Sequence, residues 1–305
     1  MNFSNLINLQ LMMFLLVVIG VVLKKRNIIT DEGKHVLTDI VICVILPCNV
    51  INSFNIEFSK EVLINGIVIL LVSCVLQFVC TFLSATLYNR VNKERRTVLQ
   101  YATVCSNAGF LGNPVAEGIY GSMGLLYASI YLIPQRIVMW SAGISYFTES
   151  TSRKDLIKKV VTHPCIIAVG IGLSIMIFQI KLPGFLSDTI RSISGCTTAM
   201  SMILIGSILA EVDIKDMTSK TMWAFSALRL IIIPLIVFVG CIVTNVHSLV
   251  TGVSVVLAGM PAGSTTAILA SKYGGDAEFA SKCVVLTTIL SMLAIPMWCM
   301  ILSFV

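Results

Sequence analysis

Two stretches of this 305-residue chain set backbone breakers and hydrogen-bonding side chains inside otherwise apolar sequence. The first reads Ser106-Asn107-Ala108-Gly109-Phe110-Leu111-Gly112-Asn113-Pro114, the second Gly259-Met260-Pro261-Ala262-Gly263-Ser264-Thr265-Thr266. Proline removes a backbone donor and clashes with the carbonyl four residues back, so a helix carrying the first string is expected to unwind just before Pro114. Broken backbone in hydrocarbon is tolerated only where it is buried in protein or lines a wet cavity, which makes both strings natural places for a ligand. Asn107, Gly112, Asn113 and Pro114 in one, and Pro261, Ala262, Gly263, Ser264 and Thr265 in the other, are the candidate contacts. Each second half-helix would bring an N-terminus with unpaired N–H groups and partial positive charge to mid-depth, a setting that stabilises an anion. Two cations add to this: Arg136, beside Pro134 and Gln135, and Arg229 both fall inside apolar runs, where charge is costly and marks function by default. The competing readings are packing kinks for the Gly/Pro strings and snorkelling to a membrane surface for the arginines.

Other chemistries find no matching constellation. Asp39, Glu117 and Asp188 lie near expected helix ends, so no paired carboxylates sit at mid-depth to hold a cation or cleave a bond. Ser264 has no histidine partner except His247 near a helix end, and no GxxxxGK[ST] phosphate loop occurs;. The ten cysteines lie in apolar stretches without a CxxC pair, and His35, His163 and His247 are scattered. Neither a metal site nor a cofactor is expected, and an enzyme is not.

The elements that must position the two strings follow from composition. The chain is 57% hydrophobic and 12% charged, too few charges to cover a water-soluble surface;. Its net charge of +6 sits in short clusters rather than on one face, which excludes a nucleic-acid partner and reads as topology information. Apolar runs of roughly 20 residues, the length needed to cross a bilayer, recur near 6–23, 36–55, 62–88, 97–119, 124–148, 161–180, 185–210, 220–245, 248–270 and 279–304. The expected fold is an all-α membrane protein of ten spans. Sixteen of the twenty-one Lys and Arg residues follow odd-numbered spans, including Lys24, Lys34, Arg95, Arg96, Arg153, Lys154, Lys159 and Lys215. The positive-inside rule then places those connections in the cytoplasm and both termini outside, in the cell membrane. The link 149–163 divides the chain into five-span halves, 1–150 and 151–305. Five is odd, so the halves must face opposite ways, as in inverted-repeat transporters, with interrupted fourth and ninth spans in corresponding positions.

The string SNAGFLGNP followed by GIYG, the Pro134-Gln135 pair, and AGMPAGSTTAILASKYGGD resemble the auxin efflux carrier family across essentially the whole chain. Bacterial members of that family are thought to carry small carboxylates such as malonate or malate, and plant members export auxin. The resemblance implies a scaffold of spans 1, 2, 6 and 7, a moving part of spans 3–5 and 8–10, a crossing of spans 4 and 9 at the site, and a homodimer through spans 2 and 7. It further implies that Asn107 and Gln135 contact substrate and that Pro114 and Pro261 are the crossover prolines. Pro47 and Asn49 in span 2, and Met200 and Ser201 in span 7, could line the scaffold side, with kinking and close packing as the alternative. The chain departs from the plant proteins in lacking their long central loop. Within transport, a sodium- or proton-coupled carrier of the bile-acid symporter type is the rival reading, and an anion-binding membrane receptor is the rival outside it.

Overall fold

A computed structural model describes residues 3–140, 146–147, 157–158, 160–211, 219–273 and 275–304. Arg153, Lys154, Lys159 and Lys215, four of the basic residues used to orient the chain, lie outside them. The described chain is all-helical, and six helical stretches are long and apolar enough to cross a bilayer: Ile7–Lys25, Asp31–Ser53, Lys60–Leu87, Gly184–Leu209, Lys220–Val243 and Ala277–Leu302. Pro164–Phe178 and Ser248–Ala258 are apolar but shorter.

In chain order, α1 is Phe3–Lys25, α2 Asp31–Ile40, α3 Leu46–Ser53, α4 Lys60–Leu87 and α5 Lys93–Val104. Then come α6 Asn113–Trp140, α7 Pro164–Phe178, α8 Gly184–Gly195 and α9 Thr197–Leu209. The chain closes with α10 Lys220–Ala227, α11 Ile233–Val243, α12 Ser248–Ala258, α13 Thr265–Tyr273 and α14 Ala277–Leu302. Thr30, Ser59 and Asp276 start α2, α4 and α14 by accepting from the N–H three residues on, satisfying donors that a helix start leaves open;. Gly121, at φ +66° and ψ −154°, splits α6 into two helices in a conformation closed to residues with a Cβ;.

Among the described residues, three π-helical turns punctuate the bundle, Val41–Ile45, Ala108–Gly112 and Leu228–Ile232. Each runs directly into a helix whose second residue is proline, Pro47, Pro114 or Pro234. The pattern has a steric cause. An α-helix would drive the proline ring into the carbonyl four residues back, and a wider turn opens the spacing there. Leu46, Asn113 and Ile233 accordingly donate to the carbonyls of Val41, Ala108 and Leu228, five residues earlier.

The helices pack through small residues, as expected where lipid supplies no hydrophobic drive between them. Glycines bring α1 and α9 into backbone contact: a Cβ on Gly206 would lie 2.1 Å from the Val17 carbonyl oxygen, and one on Gly20 would lie 2.2 Å from that of Ile203. α3 packs on α7 and α8, α4 on α6, and α11 on α12. At the end of the bundle carrying the basic loops, Lys24 and Lys34 both pair with Glu211, and Arg95 pairs with Asp276 at 2.9 Å while lying over the Phe279 ring.

Candidate functional site

The two broken strings meet. Ser106 and Ala262 form an isolated antiparallel bridge, with the Asn107 N–H donating to the Pro261 carbonyl at 2.8 Å and the Gly263 N–H to the Cys105 carbonyl at 3.1 Å. Backbone groups freed by one break are thus satisfied by the other, which answers the cost of opening a helix away from water. The first break falls at Cys105–Asn107 rather than just before Pro114. Pro114 sits inside helical structure because the wide turn Ala108–Gly112 has already made room for it;.

Side chains lock this crossing from several helices. Gln135 of α6 grips Ser106 reciprocally: the Ser106 hydroxyl donates to Oε1 at 2.8 Å and Nε2 donates to the Ser106 carbonyl at 2.8 Å. The Ala262 N–H donates to Thr287 Oγ1 of α14 at 3.2 Å, and the Tyr101 hydroxyl donates to Thr265 Oγ1 at 3.1 Å. Arg229, only 3% exposed, donates from Nε to the Met260 carbonyl at 2.9 Å and from Nη1 to the Thr103 carbonyl at 3.2 Å.

A cavity with about 570 Å³ of atom-free space, part of it open, lies against the crossing. Six of the residues expected at the site line it: Asn107, Gln135, Arg136, Gly263, Ser264 and Thr265. Gly109 and Phe110, in the first turn after the first break, share that wall with Thr265 at the start of α13, so two half-helix N-termini border the cavity. Gly112, Asn113, Pro114, Pro261 and Ala262 are not on its wall. Gly112 packs instead against Leu257 and Met260, and Asn113 is fully buried with both amide atoms unpartnered. Ile42 and Leu46 of the second span also line the cavity, whereas Pro47, Asn49, Met200 and Ser201 do not. Asn49 donates to Ser194 Oγ at 3.1 Å. His163, at the start of α7, also lines the cavity. Isolated in the sequence, its one cue is the position before Pro164, where its Nδ1 accepts from the Cys165 N–H as a helix cap.

Arg136 decides the electrostatics. It is 6% exposed, and Nη1 and Nη2 have no hydrogen-bond partner. Among the described residues, the buried charged side chains are Arg136 and Arg229, with no buried Asp or Glu to answer them. Asn107 Nδ2, another donor without a partner, is on the same wall. Asn107→Ala is therefore expected to leave the fold intact and to weaken about 2- to 10-fold the binding of a ligand that accepts from Nδ2, the loss of one hydrogen bond of about 0.5–1.5 kcal/mol. Titration of purified protein with small carboxylates checks this; equal affinities would make Asn107 a packing amide.

A wider space reaches Ser264 from the basic end, between Lys34, Thr38 and Glu211 on one side and Ala267, Ser271 and Ser281 on the other. A smaller cavity lies between α1, α9 and α14, lined by Gln10, Met202, Thr288, Ser291, Met292 and Ile295 among others. Its α14 residues repeat the spacing by which Leu132, Gln135, Arg136 and Met139 of α6 line the first cavity. Met292 falls where Arg136 would.

The membrane transport protein family model matches residues 6–299. The chain belongs to that family, the auxin efflux carrier-like membrane transporters. It is a multi-pass membrane protein of the secondary transporter kind. Two relatives have the same extent. A protein described as an uncharacterized transporter from Methanothermobacter thermautotrophicus is 28% identical over 300 residues, which cover 96% of this chain and 97% of that one. Another uncharacterized transporter, from Methanocaldococcus jannaschii, is 23% identical over 300 residues, 94% of this chain and 96% of its own.

Proposed function

We propose that this transporter carries a small organic anion, a carboxylate of the malonate, malate or auxin-like kind, by alternating access at the crossing of its two broken helices. The observation that carries the proposal is Arg136, a guanidinium buried in the cavity wall with Nη1 and Nη2 unpartnered. An unpaired buried charge is costly and persists where something binds it. The planar fork of Arg matches the two oxygens of a carboxylate, and the half-helix N-termini on the same wall add favourable potential.

The architecture we infer is ten spans in two inverted repeats, 1–150 and 151–305, with both termini outside the cell membrane. Spans 1, 2, 6 and 7 form the scaffold and pair two copies through spans 2 and 7. The antiparallel pairing of the two breaks, Ser106 with Ala262, supports two halves that run in opposite directions;. A dominant cation-binding role is disfavoured by the lack of buried acids among the described residues.

Uncoupled anion movement transfers net charge, and a membrane potential should drive it by about 2.3 kcal/mol per elementary charge per 100 mV. Proteoliposomes loaded with malonate or an arylacetate should show currents that reverse with the anion gradient and persist when sodium is replaced by choline. Binding without flux would make the protein a receptor, and currents carried by cations alone would overturn the anion reading.

A further inference from the structure

We infer that the Arg229 guanidinium is a tethered substitute for the cation that two converging helix C-termini would otherwise recruit, and that it frees the crossing from any coupling metal ion. The inference rests on the crossing being the transport site and assigns a positioning role to a residue that does not line the cavity.

α5 and α12 both end at the crossing, and one carbonyl at or just beyond the end of each accepts from Arg229. Thr103 is in the final turn of α5 and Met260 lies just past the end of α12, and each accepts from a different nitrogen of the one guanidinium. A helix C-terminus carries roughly half a negative charge, so two together come to about one, matched by one Arg. In transporters with interrupted helices, unwound carbonyls and half-helix C-termini of this kind coordinate sodium or a proton. Here two of those carbonyls are already occupied. Arg229 has no buried acid to pair with among the described residues, so its desolvation is compensated by these dipoles;. Its place in the wide turn Leu228–Ile232, against the Trp298 indole that donates to the Leu230 carbonyl at 2.9 Å, holds it there.

The two buried arginines therefore divide the crossing by sign. Arg229 serves the C-terminal ends through Nε and Nη1, and Arg136 stands beside the N-terminal ends with Nη1 and Nη2 open.

The test uses purified full-length protein in detergent and in proteoliposomes, with sodium, choline or methylguanidinium as the added cation at matched ionic strength. The parent should melt at one temperature in all three and show equal malonate flux in sodium and choline. Arg229→Met should melt lower in choline, lose flux about tenfold through the two stranded carbonyls, and recover both with sodium or methylguanidinium. Arg229→Lys, which keeps the charge without the fork, should stay cation-independent with a lowered melting temperature. The inference is overturned if sodium stabilises the parent, if Arg229→Lys becomes sodium-dependent, or if an Arg229→Met defect is the same in every cation. Melting is read without substrate, so a parent inactive toward every anion would defeat the function proposed above while these arms still decide the role of Arg229.

Discussion

Arg136→Met is expected to melt at a higher temperature than the parent and to lose anion binding at the same time. The two effects share one cause. A buried guanidinium with Nη1 and Nη2 unpartnered carries a desolvation penalty of several kcal/mol in the ligand-free protein;, and an unbranched apolar side chain of similar length removes it. The same change deletes charge-assisted hydrogen bonds worth about 1.5–3 kcal/mol, a loss of roughly 10- to 150-fold in affinity. Thermal unfolding with and without carboxylate reads both quantities, because a ligand that binds the folded state raises its melting temperature. The parent should melt low and shift with ligand; the variant should melt high and not shift. Arg136→Lys should fall between, with the charge kept and the bidentate geometry lost. A variant that melts lower and still binds carboxylates as the parent does would make Arg136 a structural cation and remove the basis of the anion reading.

The largest loss of folding is expected from Gly206→Val. Overpacking a core usually costs about 1–3 kcal/mol because neighbouring side chains can give way. At Gly206 the new Cβ would meet the Val17 carbonyl oxygen at 2.1 Å and the Gly20 Cα at 2.9 Å. Both are main-chain atoms, so α1 and α9 would have to part, and the cost should exceed that range. Size-exclusion chromatography of detergent extracts should show little monodisperse protein. Gly240→Ala, at an exposed site in α11 where a Cβ meets nothing within 4 Å, should match the parent or gain up to about 1 kcal/mol from helix propensity. Normal chromatography for Gly206→Val would mean that the α1–α9 contact is looser than its glycines require.

The sequence reveals the existence of the breaks better than their geometry. Glycine, asparagine and proline at mid-span mark opened backbone, and the segments around Asn107 and Gly263 do unwind and pair. Pro114 misleads because a missing N–H can be accommodated in two ways, by unwinding or by a wide turn, and composition does not distinguish them. Arg136 is legible as a lone charge in an apolar run. The partners of Arg229 are not, since main-chain carbonyls have no residue code and become acceptors only once two helices end side by side. His163 stays hidden for a related reason: it reaches the cavity only because α7 starts against α6. Gly20 and Gly206 look like any membrane glycines until the topology sets them opposite each other.

The wide turns before Pro47, Pro114 and Pro234 change how homologous chains should be compared. A π-turn is in effect one residue inserted into an α-helix, and everything beyond it is rotated by the angle of one residue relative to an unbroken helix. A lineage that replaces one of these prolines is free to drop the inserted residue with it. Correctly aligned relatives should therefore carry single-residue gaps inside these helices, where alignment methods penalise them most, and a helical wheel drawn straight through such a turn assigns the wrong face to lipid.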